Sequence, residues 1–380
     1  MANKTARLGD LATYINGYAF KPADWGDTGL PIIRIQDLTG NSYQLNRYDG
    51  EYPERIEVND GDVLISWSAS LGVYVWQRGK ALLNQHIFKV VFDKLPVNKE
   101  YFVFAVEHKL AEMESKTHGA TMKHIVKKDF DGTTIPYPPI EKQAEIADHL
   151  RRITSLIDRQ TEQLLLLDQL VKSRFIELFG DPEQNPMVWT KQPLSEIIIN
   201  ANNGMARRGN DPHGSIVMRL VELQDGHIDY STPNRIVLTD TEKGKYLLRE
   251  NDFLFARVNG NPEYVGRCAV FHEIGEPVYH NDHIIRVHFD DTVLNGAFAS
   301  ALINSAYGKR QMRGQIKTSA GQYTISQDGI GAITAILPPM ALQQQFAAFV
   351  EQTDKSKLAV QKGLQELEIL KKSLMQQYFG

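Results

Sequence analysis

Apolar residues recur every seven positions in the stretch from Pro138 to Gly180. One seam position is occupied by Leu150, Ile157, Leu164, Val171 and Leu178, and the other by Ile146, Ile153 and Leu167, with Gln160 and Arg174 as interruptions. Neither Gly nor Pro occurs from position 141 to 179, so nothing in the local chemistry ends a helix. The pattern predicts a coiled-coil helix over 138–180, roughly 50 to 60 Å long at 1.5 Å per residue. Such a helix needs a partner of similar length.

A second copy of this stretch lies 200 residues further along the chain. Pro338 and Pro339 correspond to Pro138 and Pro139, and the copies close on "IELFG" and "QQYFG". The second seam consists of Phe346, Val350, Val360, Leu364, Leu367 and Leu374, with Thr353, Lys357 and Lys371 as interruptions. The interrupting residues either fix the register or face a partner subunit. The duplication predicts four parts, residues 1–137, 138–180, 181–337 and 338–380, alternating between globular segment and long helix.

The two globular segments share an order of elements. In the first, "LPIIRIQDL", "GDVLISWSA" and "HIFKVVF" have strand-like patterns, and "KEYFVFAVEHKLAEMESK" has helical spacing. In the second, "GSIVMRLVEL", "RENDFLFARV", "NDHIIRVHF" and "NGAFASALINSAYGKRQMRGQ" follow in the same order. The pattern predicts two similar mixed α+β domains with β cores. Their loops differ, as expected of two modules that read different ligands, although neutral drift is the alternative.

Composition adds constraints without identifying a ligand. The chain of 380 residues carries a formal charge of −4, so any nucleic-acid surface must be local. The single cysteine, Cys268, is expected to be a small buried apolar residue, and no His, Cys and carboxylate cluster has metal-site spacing. No segment has the pattern of a signal peptide or a membrane span, which predicts a cytoplasmic protein.

The order and duplication of these motifs resemble the specificity subunits of type I restriction-modification systems. The resemblance covers the whole chain and includes "LGDLATYINGYAF", "IIRIQDL", "GDVLIS", the stretch "HGATMKHIVKKDF" before a double proline, and the helix openings "PPIEKQAEIADHL" and "PPMALQQQFAAFV". It implies two target recognition domains, whose two helices pack antiparallel as a spacer with a pseudo-twofold axis. Each domain would read one half of a split, asymmetric DNA target.

The resemblance also implies partners. Two methyltransferase subunits that bind S-adenosylmethionine would dock on the chain, and ATP-dependent restriction subunits would join them. The chain itself would bind no cofactor. A rod of roughly 50 Å corresponds to about one and a half turns of B-DNA, and domains set closer than its full length would read half-sites about one turn apart.

Candidate DNA contacts in the second domain follow from the chemistry of base edges and phosphates. The region from Val293 to Gln327 contains no acidic residue, which makes it the best local basic patch; a solvated helix face is the alternative. The candidates in this domain are Arg207, Arg208, Asn210, Arg219, Arg257, Asn259, Asn261, Lys317, Thr318, Ser319, Gln322 and Tyr323. Arg257 suits guanine, and Asn259 and Asn261 suit adenine. Arg219 with Glu222 follows a strand pattern that points either to DNA or to solvent.

The candidates in the first domain are Lys21, Arg34, Gln36, Ser66, Ser68, Lys116, His118, Thr121, Lys123 and His124. Ser66, Trp67 and Ser68 stand where the second domain has Arg257, Asn259 and Asn261, a different chemistry that is consistent with a different half-site. Arg34 and Gln36 are expected on an alternating strand. Of the aromatic residues near Lys21, which are Tyr18, Phe20 and Trp25, at least two are expected in the core. His86 and His283 are interpreted as buried structural histidines.

The sequence lacks signatures of catalysis. "YPPI" and "LPPM" share only their prolines with the amino-methyltransferase motif, and no Gly-rich phosphate loop ends in Gly-Lys-Ser or Gly-Lys-Thr. The chain is therefore interpreted as a noncatalytic reader of DNA. The alternatives are a coiled-coil scaffold that binds proteins without reading bases, and an enzyme with an unrecognised site.

Overall fold

The computed structural model describes residues 4–40, 45–116, 125–224, 226–319 and 321–380, and the side chains of 115, 116 and 319 lie outside that description. The chain forms two compact units. Unit 1 comprises residues 1–162 and 361–380, and unit 2 comprises residues 163–360. Each unit therefore contains one globular segment together with part of each long helix.

The ten helices of the described chain are α1 Leu8–Leu11, α2 Ile35–Leu38, α3 Lys99–Lys116, α4 Lys127–Gly132, α5 Ile140–Phe179, α6 Asp240–Tyr246, α7 Gly296–Asn304, α8 Ala306–Gln315, α9 Gln327–Gly331 and α10 Met340–Phe379. The long helices α5 and α10 begin directly after the two double prolines, as the sequence pattern predicts. The single helix expected over 295–315 is instead two, α7 and α8. Ser305 separates them because its hydroxyl accepts the backbone N–H of Gly308 (3.3 Å) and caps the second helix.

Unit 1 contains three sheets. Its strands are β1 Thr5–Arg7, β2 Thr13–Asn16, β3 Leu30–Ile33, β4 Arg47–Tyr48, β5 Glu57–Val58, β6 Val63–Ser66, β7 Gly72–Val75, β8 Ala81–Leu83, β9 Ile87–Val91 and β10 Thr134–Pro136. They form an antiparallel sheet in the order β2-β9-β6-β7, a mixed sheet in the order β4-β3-β8-β5, and a pair β1-β10. The pairing of β3 with β8 is parallel.

Unit 2 repeats the main sheets of unit 1 among the described residues. Its strands are β11 Thr190–Pro193, β12 Ile198–Asn203, β13 Ser215–Met218, β14 Arg235–Ile236, β15 Asp252–Ala256, β16 Val258–Asn259, β17 Cys268–Val270, β18 Val278–His280, β19 Ile284–Phe289, β20 Lys317–Ser319, β21 Gln322–Thr324 and β22 Thr334–Leu337. The sheets are β12-β19-β15-β17, β14-β13-β18, β11-β22 and β16-β21-β20. The stretch of unit 1 that corresponds to β20 and β21 lies outside the described residues. The parallel pair β13–β18 corresponds to β3–β8.

The ends of the long helices are built into the core of each unit. In unit 1, Leu150 of α5 and Phe379 of α10 share a core with Tyr101 and Phe102 of α3. In unit 2, Phe179 of α5 and Phe346 of α10 share a core with residues of the main sheet. The start of one helix lies beside the end of the other in both cases, so α5 and α10 pair antiparallel. All predicted seam residues are buried or half-buried.

The three charged interruptions of the seam have defined partners. In unit 2, Lys357 Nζ lies 2.7 Å from Asp168 Oδ1 on the other helix, and the guanidinium of Arg174 lies 5.8 Å from the ring centre of Phe349. In unit 1, Lys371 Nζ lies 3.6 Å from Glu107 Oε1 of α3. Charged pairing across the seam fits a role in register.

A buried glutamine attaches each long helix to its domain. Gln143 Oε1 accepts the backbone N–H of Asn98 (3.0 Å), and Gln343 Oε1 accepts that of Asn295 (2.9 Å). Asn98 and Asn295 lie at the starts of α3 and α7. The duplicated contact fixes the first turn of the long helix against the first turn of the domain helix.

Candidate nucleic-acid interface

Arg34 and Arg219 lie at corresponding turns rather than on strands, which corrects the expected alternating pattern. β3 ends at Ile33 and β13 ends at Met218. Each strand ends there because the arginine that follows it is capped by a carboxylate three residues after that arginine. Asp37 Oδ2 accepts the N–H of Arg34 (2.8 Å), and Glu222 Oε2 accepts that of Arg219 (2.6 Å).

These buried carboxylates also hold the side chains of the two arginines. Asp37 lies 3.4 Å from Nε of Arg34, and Glu222 lies 2.9 Å from Nε of Arg219. Arg34 in addition lies 5.7 Å from the ring centre of Trp25. Both guanidinium groups are therefore oriented before any ligand arrives. Gln36 is exposed within α2.

Trp67 and Arg257 occupy the same structural position in the two domains. The N–H of Trp67 donates to His86 O (3.2 Å) and that of Arg257 donates to His283 O (2.7 Å). The carbonyl oxygens of the same two residues accept the N–H groups of Ile125 and Ile325, respectively, at 3.0 and 2.9 Å. One backbone frame thus carries a different side chain in each domain.

The serines flanking Trp67 differ in exposure. Ser66 is fully buried, and its hydroxyl donates to the carbonyl of Ser70. This burial removes Ser66 from the candidate contacts, because its hydroxyl is already bonded inside the domain. Ser68 is half-buried.

Two candidate arginines from distant parts of the sequence meet at Asp282. Arg257 Nη1 donates to the backbone oxygen of Asp282 (3.1 Å), and Arg208 Nη2 lies 2.6 Å from its carboxylate. Arg208 Nη2 also lies 3.2 Å from His283 Nε2. Sequence reasoning missed the role of Asp282, which positions both guanidinium groups. His86 and His283 are half-buried, which corrects their expected burial.

The neighbouring Arg207 has a different partner. Its guanidinium forms an ion pair with Glu242 (2.7 Å) and donates to the backbone oxygen of Val237 (2.5 Å). An arginine bound to two groups of its own domain is a weaker candidate for DNA contact. Asn210, three residues later, is exposed.

The sheet β16-β21-β20 of unit 2 brings together candidates that are about 60 residues apart in sequence. Asn259 of β16 pairs with Tyr323 of β21, and Tyr323 pairs with Thr318 of β20. Directly paired residues share one face of a sheet, so these three side chains form one row. Lys317, Thr318 and Gln322 are exposed, whereas Asn259 and Tyr323 are half-buried. Ser319 lies in β20, with its side chain outside the described set.

Asn261 serves a local role beside this sheet. Its Oδ1 accepts the N–H of Glu263 (3.0 Å) and caps the helical turn Pro262–Tyr264. The N–H of Asn261 in turn donates to Oδ1 of Asn259 (2.9 Å). These hydrogen bonds fix the loop that follows β16.

The acid-free region of the sequence is not acid-free in space. Arg310 lies 2.6 Å from Glu183, and Arg313 forms an ion pair with Glu263. Both acids come from distant sequence positions, which a local count of charges cannot detect. The basic character of this face is therefore concentrated at Lys317 rather than along α8.

In the first domain, the candidate patch falls largely outside the described residues. His118, Thr121, Lys123 and His124 lie outside them, and so does the side chain of Lys116. Lys21 is exposed and precedes the helical turn Pro22–Asp24, in which Asp24 accepts its N–H (2.7 Å).

Most of the aromatic side chains near Lys21 are exposed. Phe20 is buried, but Tyr18 and Trp25 are each 43% exposed. The expectation that at least two of the three pack in the core is therefore wrong.

The buried ionisable and thiol groups have structural roles. His280 is fully buried, its Nδ1 lies 3.2 Å from Tyr246 O, and burial lowers its pKa to about 4. Cys268 is buried, as expected. Within the described ranges, no three His, Cys, Asp or Glu side chains group into a metal site, and no helix is long and apolar enough to cross a membrane.

Comparisons with known proteins agree with this arrangement. Residues 2–167 match the family described as the type I restriction modification DNA specificity domain. The type I restriction enzyme StySPI specificity subunit of Salmonella potsdam is 26% identical over 378 residues, covering 92% of this chain and 81% of the relative. The EcoKI specificity subunit of Escherichia coli K12 is 25% identical over 380 residues, covering 91% and 81%. The fold is similar to a crystal structure of the S subunit from M. genitalium, with a TM-score of 0.58 and 14% identity over 99% and 96% of the two chains.

Proposed function

We infer that this chain, whose residues 2–167 match the family described as the type I restriction modification DNA specificity domain, is a specificity subunit that recognises the DNA target of such a system. Each globular domain reads one half of a bipartite, asymmetric target, and the paired helices set the spacer between the halves. The subunit is noncatalytic: it directs the partner subunits that modify or cleave DNA.

The backbone frame shared by Trp67 and Arg257 carries this inference. The same hydrogen bonds hold an aromatic side chain in one domain and an arginine in the other. Trp67 stacks on Phe88 (ring centres 5.6 Å apart) and packs against the core of unit 1, whereas the guanidinium of Arg257 reaches the backbone oxygen of Asp282. A shared frame whose side chain changes from one copy to the other is expected where each domain meets a different base. The alternative of a scaffold without base readout does not account for this exchange.

The proposed partners explain the exposed apolar residues on the helices. Leu165, Leu166, Leu170 and Ile176 on the unit 2 part of α5 are each between 48% and 60% exposed. They lie outside the seam. Leu165 and Ile176 are eleven residues apart and Leu166 and Leu170 are four apart, so each pair shares a side of α5, and the two pairs form neighbouring rows. We propose that a methyltransferase subunit covers this surface, that two such subunits bind one chain, and that restriction subunits join them.

The proposed binding of cofactors follows from the separate roles of the subunits. We propose that S-adenosylmethionine is bound by the methyltransferase partners and ATP by the restriction partners, and that the complex works on DNA in the cytoplasm.

Sequencing of modified adenines tests the function directly. Cells that express the partner subunits are compared with and without this chain. We expect a split motif to be methylated only when the chain is present. An unchanged methylation pattern would contradict the proposed function. Purified complex should also bind a duplex carrying that motif, with an affinity that falls as salt rises.

A further inference from the structure

A cleft of about 190 Å³ opens beside β16 in unit 2. It is lined by Leu220, Val221, Leu223, Gln224, Ala256, Asn259, Tyr264 and Arg267. Its volume corresponds to about six water molecules at roughly 30 Å³ each. Pockets for drug-sized ligands are larger, so the cleft suits a group of one or two rings.

Arg267 is held rigidly at this cleft. Its guanidinium lies 4.5 Å from the ring centre of Tyr264, and its Nη1 donates to Gln224 Oε1 (3.0 Å). Its backbone oxygen accepts the N–H of Ala256 (2.8 Å), which attaches the residue to β15. A planar donor group held by stacking and by a hydrogen bond is pre-organised for a flat ligand.

The acceptor oxygens of the two amides at the cleft are already engaged. Gln224 Oε1 accepts from Arg267, and its Nε2 donates to Val221 O (2.9 Å). Asn259 Oδ1 accepts the N–H of Asn261 (2.9 Å). The guanidinium of Arg267, which donates and cannot accept, therefore makes the cleft favour a ligand edge made of acceptors.

Among the four bases, guanine presents such an edge. Its O6 and N7 are both acceptors in the major groove, whereas adenine and cytosine place an amino donor there. Arginine bound through two hydrogen bonds to O6 and N7 is the commonest specific contact to guanine.

The first domain lacks this residue at the equivalent position. Gly72 pairs with Ser66 in unit 1, and Arg267 bonds to Ala256 in unit 2. Ser66 and Ala256 correspond because Trp67 and Arg257, the residues after them, make the same backbone hydrogen bonds. Any recognition by Arg267 therefore belongs to one half-site only.

We propose that this cleft reads a guanine in the half-site recognised by unit 2. Arg267 is the specificity-determining residue, and Tyr264 and Gln224 position it. This inference rests on the proposed function, because it names one base of the target that the chain recognises.

The test uses the complete complex and 7-deazaguanine, which lacks the N7 acceptor. The methylated motif is first determined in cells, and exchange of residues 181–337 for those of a relative identifies the half read by unit 2. Each guanine of that half is then replaced by 7-deazaguanine, and DNA affinity is measured for the wild-type complex and for Arg267→Met, which removes every donor of the side chain. The matched control is Arg249→Met, at an exposed arginine that does not line the cleft.

We expect one 7-deazaguanine to weaken wild-type binding roughly tenfold or more, and to have no effect on Arg267→Met. Arg249→Met should keep the wild-type sensitivity. Loss of folding cannot mimic this result, since it would weaken binding to both duplexes equally. A unit 2 half-site without guanine, a wild-type complex insensitive to every 7-deazaguanine, or undiminished sensitivity in Arg267→Met would overturn the cleft assignment and leave the proposed function intact. A chain that directs no motif at all would instead overturn the function.

Discussion

At the scale of single residues, the two domains keep the glutamine that attaches each long helix and differ at a position that we propose contacts bases. Gln143 and Gln343 are both 1% exposed and make equivalent hydrogen bonds to the main chain. Trp67 and Arg257, in contrast, share a backbone frame but differ in side chain. Residues that hold the scaffold satisfy buried backbone groups, which leaves them little freedom to change.

Gln343→Leu should lower the free energy of unfolding by about 2 to 3 kcal/mol, because it leaves buried main-chain groups without hydrogen bonds. Gln343 serves Asn295 N–H (2.9 Å), Val293 O (3.1 Å) and Pro338 O (2.8 Å). Urea denaturation of the purified chain measures the loss. Gln344→Leu, at the exposed next position, is the control and should change stability by no more than about 0.5 kcal/mol. Equal effects of the two substitutions would contradict the anchoring role.

Lys317→Ala should reduce the salt dependence of DNA binding. Lys317 is exposed at the start of β20 and lies on the row of strands that carries Asn259 and Tyr323. Loss of one phosphate contact lowers the slope of log affinity against log salt by about 0.9. The measurement is a salt titration of the complex on its own target. The control is Lys243→Ala in α6, which removes an exposed lysine paired with Asp240 and should leave the slope unchanged. An unchanged slope in Lys317→Ala would exclude a phosphate contact by Lys317.

At the scale of elements, each long helix has two apolar surfaces. The seam side packs against the other helix and into the core of each unit. Leu166 and Leu170, outside the seam, are 55% and 48% exposed within unit 2. An apolar surface that its own unit leaves uncovered is expected to be buried by a partner.

Leu166→Asp combined with Leu170→Asp should weaken binding of the methyltransferase subunit at least tenfold, because it places charge where apolar surface is buried. Both positions are exposed in the chain, so its own thermal unfolding should change little. The measurement is titration of the partner against the purified variant. Gln169→Asp adds one charge at a polar position of the same helix and should have a much smaller effect. If the double variant assembles normally, the partner binds elsewhere.

At the scale of the whole molecule, the chain is a duplicated scaffold whose two domains we propose to read different half-sites. The main sheets of unit 2 repeat those of unit 1 among the described residues. Fold and reading surface are thus separable, which is expected when specificity depends on loops and short strands attached to a rigid frame.

Removal of one heptad from each helix should change the recognised spacer. Deletion of residues 157–163 together with 361–367 removes seven residues from each partner and preserves the heptad register. Each helix becomes shorter by about 10.5 Å, close to three base pairs at 3.4 Å each. Methylation mapping should show the same half-sites with a shorter spacer, or no methylation. Continued methylation of the original motif would refute the spacer role. Deletion of seven residues from one helix alone leaves the two helices unequal in length, so their pairing is misaligned, and recognition should be abolished.

The sequence by itself determined the long helices, the duplication and the order of the domains. These features are encoded locally: a seven-residue apolar repeat and the absence of Gly and Pro suffice to define a helix with one buried side. It also named Arg257, Asn259 and Tyr323 as candidate DNA contacts, and the structure brings their segments together.

Only the tertiary structure decided which of those side chains are paired, buried or assembled into a site. Asp282 joins Arg208 to Arg257, Glu183 neutralises Arg310, and Ser66 is enclosed. The cleft that we propose reads guanine is likewise lined by residues of three separate segments, Val221, Asn259 and Arg267. Ion pairs, burial and clefts depend on distances between residues remote in sequence, and those distances are fixed by sheet pairing and core packing rather than by any local pattern.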